Sequence, residues 1–294
     1  MTIGVTGATG GVGSRVVRHL LGRRHRVVAL ARRPDAVPEA PGLTTRFADY
    51  DDPESLRTGF AGLRTLVFVS SDDIAEDMLR HHEHVVAAAV DAEVEHVVYT
   101  SVLDASSDSG FYYAAVHRET EALLAASGLR RCLARTSIFS DYFLSTWFAP
   151  ALETGELALA AGAGRMSLVT RDDTAHALTA AAGSGREGVL ELTGPAALTA
   201  EEICRIGGIL YRPVDDGEYR ALLAAEGKPQ WLVDAFATLF ASVREGRYGV
   251  VSSDIPELTG ERQRSFAEFV GLPGPGRGKV SSPESPGRAP KPSA

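Results

Sequence analysis

The sequence predicts an α/β protein, a doubly wound parallel sheet with a smaller α+β lobe after it. Three observations carry that expectation. Strand and helix signals alternate through the first half of the chain. The strand-like runs are continuously apolar, as parallel strands covered on both faces are. The glycine-rich stretch GVTGATGGVG, residues 4–13, stands between the first strand and the first helix.

The elements follow in order. TIGVT (2–6) is a short β-branched run, and residues 10–24 place Val12, Val16, Val17, Leu20 and Leu21 at helical spacing. RVVAL (26–30) is a second strand and LTTRF (43–47) a third, after a proline-rich turn. PESLRTGF opens a helix with Pro53 in its first turn. TLVFVS (65–70) is a strand, 74–92 a long helix, HVVYTS (96–101) a strand, 114–127 a helix and RRCLART (130–136) a strand. Right-handed crossovers turn this series into a doubly wound sheet.

After about residue 140 the rhythm changes to short helices with isolated strands such as VLELT (189–193). The expected organisation is a nucleotide-binding domain over 1–140 and a substrate lobe over 141–270, with some of its elements returning to the first core. Residues 271–294 are Pro, Gly and Ser with little to bury, and are expected to be a disordered tail. There is no internal repeat.

Bulk properties narrow the function. With 294 residues, 44% of them hydrophobic, the chain can bury a large core. No run approaches the 18 apolar residues or so that a membrane helix needs. The start, MTIGVTG, enters a strand directly without the regions of a signal peptide, so a cytoplasmic protein is expected. The net charge is −8 and no basic stripe is interleaved with aromatics, which argues against nucleic acid. Cys132 and Cys204 read as two reduced, buried thiols.

The glycine stretch carries the first functional inference. A glycine permits the tight turn and lets backbone approach a phosphate. The helix that follows presents free N–H groups and partial positive charge to a pyrophosphate. The spacing is G-x-x-G-x-x-G at Gly7, Gly10 and Gly13. The end of the second strand selects the nucleotide, because a carboxylate there binds the ribose of NAD and an arginine favours the 2′-phosphate of NADP. Here it reads ALARRPD, with Arg32 and Arg33 in place of a carboxylate. NADP(H) is preferred; Asp35 nearby leaves NAD(H) open.

These stretches and several later ones resemble the NmrA-like group of atypical short-chain dehydrogenase/reductases, and within it the NADPH-dependent quinone oxidoreductases of type 2. The resemblance spans roughly residues 1–270 and rests on GATGGVG, ALARRP, FADYDDPESL (47–56), VVYTS (97–101), HRETEALLAASGL (117–129), RTSIFSDYF (135–143), VTRDDTA (169–175) and ELTGPAALTAEEI (191–203). It implies a nicotinamide-binding Rossmann domain with a C-terminal lobe closing over a substrate cleft. By the same resemblance Gly7, Thr9, Gly10, Gly11 and Val12 line the pyrophosphate and Arg32 meets the 2′-phosphate. Asp49 lies near the adenine edge, Ser70 and Ser71 near the ribose. The loop from Thr136 to Asp141, with Ser137 and Phe139, passes the nicotinamide, and Thr100 is a further cofactor-binding candidate. At Tyr142 the family usually carries asparagine, which leaves room for a different substrate.

Ordinary short-chain dehydrogenases use Tyr-x-x-x-Lys, in which the lysine lowers the tyrosine pKa. Here the matching stretch is GFYYAAVHRE, so His117 follows Tyr113 by four residues, and Ser101 is a third candidate. On a helix i and i+4 share a face, so Tyr113 and His117 could meet. The chain has three lysines, Lys228, Lys279 and Lys291, and none in its first 227 residues. Hydride addition to a ketone makes an alkoxide and needs a good acid. Addition to a quinone makes a phenolate-type oxygen, with a conjugate acid near that of tyrosine, pKa about 10. Such a reaction needs mainly proximity and orientation. Phe139, Tyr142 and Phe143 are aromatic candidates for a flat substrate, and Arg171 is a polar one.

The expected function is therefore an NAD(P)H-dependent reductase of a quinone or quinone-like aromatic. Two alternatives stay open. One is the reductase of a two-component hydroxylation of an anthraquinone-type polyketide, with a partner hydroxylase; the other is a dinucleotide-sensing regulator without turnover. A homodimer is a further expectation. The cluster RHHEH offers His81 and His84 on one helical face, but no third ligand is evident, so no metal is expected. DYDDPE (49–54) reads as a turn and helix N-cap, and RDD (171–173) as a helix start.

Overall fold

The computed structural model describes residues 2–271. The first half runs β1 (Thr2–Val5), α1 (Gly13–Gly22), β2 (Arg26–Ala31), β3 (Leu43–Phe47), α2 (Pro53–Phe60), β4 (Thr65–Phe68), α3 (Ala75–Asp91), β5 (His96–Val102), α4 (Ala114–Ala126) and β6 (Arg130–Thr136). Then come α5 (Ser140–Phe143), a π-helical turn over Leu144–Phe148, α6 (Ala149–Thr154), β7 (Glu156–Leu159), β8 (Arg165–Met166), α7 (Arg171–Ser184) and β9 (Gly188–Leu192). The chain ends with β10 (Leu198–Thr199), α8 (Ala200–Gly207), β11 (Leu210–Pro213), α9 (Asp216–Ala225), α10 (Gln230–Arg244), α11 (Asp254–Thr259) and α12 (Phe266–Val270).

Seven strands form one parallel sheet in the order β3-β2-β1-β4-β5-β6-β9. Period-two alternation explains why its inner strands β1, β2 and β4 are apolar on both faces, whereas β3, at the edge, is the polar LTTRF. Val27 and Ala29 enter the core under α1 and α7, with Val16, Leu20 and Leu178. Val28 and Leu30 enter the opposite core under α2, α3 and α4, with Leu56, Val85 and Leu124. Connections leave β1 and β4 in opposite directions, and this topological switch opens a crevice at their carboxyl ends.

VLELT is not part of the lobe. It becomes β9, the seventh strand and an edge of the main sheet, with α7 packed on that sheet beside α1. The lobe has its own core of Phe143, Phe148, Ile203, Tyr219, Phe240 and Phe266, and two small two-stranded sheets. The first helix starts at Gly13 rather than at residue 10, because residues 7–12 form turns. Asp52 caps α2 by accepting from the backbone of Glu54 and Ser55, and Thr170 caps α7, as their sequences predict. Past Gly271, the expected tail lies outside the described residues. No helix among the described residues is long and apolar enough to cross a membrane.

Candidate active site

A cavity of about 690 Å³ occupies the crevice and continues beneath the lobe. Its nucleotide half is built on the glycine loop. Gly7 has φ +58°, in the left-handed region that favours glycine, and its carbonyl accepts from Gly10 N at 2.8 Å. At Gly13 an added Cβ would lie 2.3 Å from that same carbonyl oxygen, so only glycine lets α1 start against β1. Asp, Thr or Ser side chains cap α2, α7, α8, α9 and α12, whereas α1 has neither a side-chain cap nor an acidic residue in its first turn. Ser14 N donates to Gly10 O at 3.1 Å, and the N–H groups of Gly11, Val12 and Gly13 are left for an anion.

Arg32 ends this wall. It is exposed, lines the cavity and makes no ion pair with a carboxylate among the described residues. Asp35 sits in a 3₁₀ turn over Pro34–Ala36 and is absent from the wall. Thr9, Gly10, Gly11, Val12 and Asp49 also line the cavity. Ser70 and Ser71 follow β4, and Ser70 N donates to Thr100 Oγ1 at 2.8 Å. Ser71 Oγ is buried without a hydrogen-bond partner, an orphan that a ligand oxygen can satisfy. Thr136, Ser137 and Phe139 continue the wall past β6. The glycine cradle, the uncapped helix, the unpaired arginine and the orphaned hydroxyl fit a phosphorylated dinucleotide.

The half of the cavity beneath the lobe is aromatic. Tyr113, Phe139 and Tyr142 line it, and Arg171 holds its guanidinium carbon 5.3 Å from the Phe139 ring centre and 6.0 Å from that of Tyr142. Arg171 also covers the glycine loop, since a Cβ on Gly11 would come within 2.9 Å of Arg171 Cδ. Asp141 holds this corner, accepting from Arg171 N at 2.9 Å and pairing with Arg15 at 3.1 Å.

One expected substrate residue is corrected. Phe143 is fully buried and packs against Trp147 and Phe266, away from the cavity. The aromatic run splits by helical phase: Phe139 and Tyr142 face the cleft, while Phe143 and Trp147, four apart, face the lobe core.

The three acid–base candidates line one cavity but form no triad. Tyr113 precedes α4 and its hydroxyl donates to Asp73 O at 3.0 Å, so it does not meet His117. Burial, then the Asp72 carboxylate, raise its pKa above the ordinary tyrosine value. His117 Nδ1 lies 2.7 Å from Tyr99 OH, and burial pushes its pKa down to about 3. Ser101 donates to Glu121 at 2.7 Å, and Glu121 is held by Arg135. The RHHEH histidines also diverge: His81 meets Asp51, His84 meets Tyr50 O, and His82 meets Thr120 and Ser70.

Sequence reasoning missed the roof. Trp231, Leu232, Phe236 and Leu239 of α10, with Tyr248 and Phe111, close the aromatic half. The available signal was in WLVDAFATLF, which carries more apolar residues than one core-facing stripe requires. Tyr50 was missed too; its hydroxyl lies 2.6 Å from both Thr6 Oγ1 and Val69 O, tying β1 to β4 at the crevice floor.

A family model described as NAD(P)H-binding matches residues 7–184. Quinone oxidoreductase 2 of Escherichia coli is 33% identical over 281 residues, covering 91% of this chain and 97% of the relative. The crystal structure of that NADPH-dependent quinone oxidoreductase complexed with NADPH superposes with a TM-score of 0.85 at 31% identity, over 92% of this chain and 98% of that one. NAD(P)H azoreductase of Xenophilus azovorans is 28% identical, over 90% of this chain and 96% of the relative. The Citrobacter sp. triphenylmethane reductase complexed with NADP(H) matches with a TM-score of 0.81 at 27% identity, over 92% and 99% of the two chains. The chain belongs to the NmrA-like, NAD(P)H-binding atypical short-chain dehydrogenase/reductases, and it is an NAD(P)H-dependent oxidoreductase.

Proposed function

We propose that the chain reduces quinones and quinone-like flat aromatics, with NADPH preferred over NADH. One observation carries the substrate class: the cleft is aromatic and holds no poised acid. The hydroxyl of Tyr113 is engaged by Asp73 O, His117 is neutral, and no lysine stands beside either. A ketone would need a positioned acid that gives up its proton in the transition state, worth about 10²–10⁴-fold in rate. A quinone does not, because its reduced oxygen has an acidity near that of tyrosine, pKa about 10, and can take its proton from water.

NADPH, when bound, supplies a hydride. The residues do the rest. The glycine loop and the start of α1 hold the pyrophosphate, Arg32 the 2′-phosphate, and Ser71 a ribose hydroxyl. Phe139, Tyr142, Tyr113 and Phe236 stack on a flat acceptor and hold it in place. Arg171, seated between the loop and these rings, steers anionic oxygen. Relatives named for azo compounds and triphenylmethane extend the acceptor class to other conjugated systems. We place the reaction in the cytoplasm, a reducing setting that suits the two free, buried cysteines.

NADPH oxidation with a panel of quinones and matched aryl ketones tests this. Quinones are expected to be turned over and ketones left untouched. Turnover of ketones alone overturns the substrate class. Binding of NADPH with no consumption by any acceptor makes the protein a dinucleotide sensor.

A further inference from the structure

Behind the cavity wall lies a buried chain of hydrogen bonds that the reductase reading does not use. His82 Nδ1 is 2.8 Å from Thr120 Oγ1, and Tyr99 OH is 3.4 Å from His82 Nδ1 and 2.7 Å from His117 Nδ1. At its other end His82 Nε2 lies 3.1 Å from Ser70 Oγ and 3.4 Å from the Ser71 backbone N–H. Tyr99, His82 and Thr120 are all buried.

The hydrogens follow from donor bookkeeping. Thr120 donates its own hydrogen to Val116 O at 2.7 Å, so towards His82 it is an acceptor. His82 therefore carries its proton on Nδ1, and its bare Nε2 accepts from Ser71 N–H. The Tyr99 hydroxyl also reaches the hydroxyls of Thr120 and Ser70, but its short contact is the 2.7 Å one to Nδ1 of His117, and with Nδ1 of His82 a donor we assign its hydrogen there. That leaves the His117 proton on Nε2. This nitrogen has no hydrogen bond to the described residues, is not sealed in the core, and belongs to a residue lining the cavity.

We infer that Tyr99, backed by His82 and Thr120, is a positioning residue that fixes His117 as its Nε2–H tautomer, so that a neutral imidazole N–H faces the cleft as a hydrogen-bond donor to a carbonyl oxygen. Two carbonyls could take that bond, the carboxamide of the nicotinamide or the quinone itself; the second rests on the function proposed above. Burial keeps His117 neutral, with its pKa pushed down to about 3, so it donates without acting as a cationic acid. An uncharged donor stabilises growing negative charge on an acceptor oxygen and stays protonated through turnover.

Protein labelled with ¹⁵N in its histidines reports the tautomers, with His117→Gln assigning the His117 signals. At neutral pH the expected state is Nε2–H at His117 and Nδ1–H at His82; an Nδ1–H tautomer at His117 overturns the inference. Adding NADP⁺ and then duroquinone separates the two carbonyls. A shift of the Nε2–H signal with NADP⁺ alone assigns the carboxamide, and a shift only with the quinone assigns the substrate. No shift with either overturns the donor role. Tyr99→Phe is expected to lower kcat about tenfold where the quinone takes the bond, and to raise the KM for NADPH about tenfold where the carboxamide takes it, since one neutral hydrogen bond is lost. A folded Tyr99→Phe protein with kcat and the KM for NADPH both unchanged overturns the positioning role. If the wild type reduces no quinone, the proposed function fails while the tautomer measurement still decides this inference.

Discussion

The two halves of the cleft are made in different ways. The nucleotide half is mostly backbone and sequence-local: a turn at Gly7, a helix start at Gly13 and the end of β2 at Arg32. The substrate half is mostly side chain and sequence-distant, with Phe111 and Tyr113 before α4, Phe139 and Tyr142 after β6, and Trp231 and Phe236 on α10. Backbone that must approach a phosphate tolerates little change. An aromatic wall can change residue by residue while the sheet below stays the same. Solved structures named for quinones and for triphenylmethane accordingly match this one fold.

The largest effect should separate the lobe's core from its cavity wall. Phe143→Ala is expected to cost about 3–5 kcal/mol of stability, as buried Phe truncations do. Tyr142→Ala, one residue away, should instead raise the KM for the acceptor with a smaller change in melting temperature. Thermal denaturation and steady-state kinetics of the pair check this; equal melting temperatures would place Phe143 outside the core.

The nucleotide half can be broken with one methyl group. In Gly13→Ala the new Cβ would meet Gly7 O at 2.3 Å, and both groups are tied to backbone. The strain is relieved by moving the loop out of its cradle, and if restoring that geometry for the cofactor costs about 3 kcal/mol, NADPH binding weakens about a hundredfold. Gly22→Ala, at the other end of α1, meets nothing within 4 Å and should bind NADPH normally. Calorimetric titration of both variants reads the contrast. Arg32→Glu is the next step down: about 1.5–3 kcal/mol of charge-assisted bonding should be lost with NADPH and little with NADH. Equal losses with both would remove Arg32 from the 2′-phosphate site.

The buried histidines behind the wall give a pH signature. Burial lowers His117 to about 3 and His82 to about 2, from an ordinary value of 6.5. Below pH 6.5 the unfolded chain takes up protons that the folded chain refuses. Stability should therefore fall as pH drops from about 6.5 towards 3, by up to about 1.4 kcal/mol per pH unit for each histidine. Urea denaturation across that range should show a shallower slope for His117→Gln. An identical slope would mean that His117 titrates normally in the folded protein.

The smallest effect concerns Tyr113. If acceptor position rather than acid strength governs the reaction, Tyr113→Phe should slow quinone reduction by about tenfold or less, against the 10²–10⁴-fold or so expected on removing a required acid. Rates with a small benzoquinone and with an anthraquinone test this. A collapse with both, at unchanged NADPH affinity, would make Tyr113 a true proton donor.

The sequence by itself determined the sheet, its parallel sense and the glycine turn and helix start that wall one side of the crevice. Continuous apolar strands, a glycine loop between β1 and α1, and arginine at the end of β2 are local facts, and local backbone geometry follows from them. Tertiary structure decided the rest. Sequence spacing allowed Tyr113 and His117 to meet, but the chain pairs one with Asp73 O and the other with Tyr99. An aromatic run that reads as one ligand surface is divided between cleft and core at Tyr142 and Phe143. VLELT, remote from the other strands in sequence, closes the main sheet as β9, and α10 roofs the cleft from about 90 residues beyond Phe139. Such contacts form between segments whose separation no periodicity encodes, and they are set by which apolar surfaces remain to be buried once the sheet has formed.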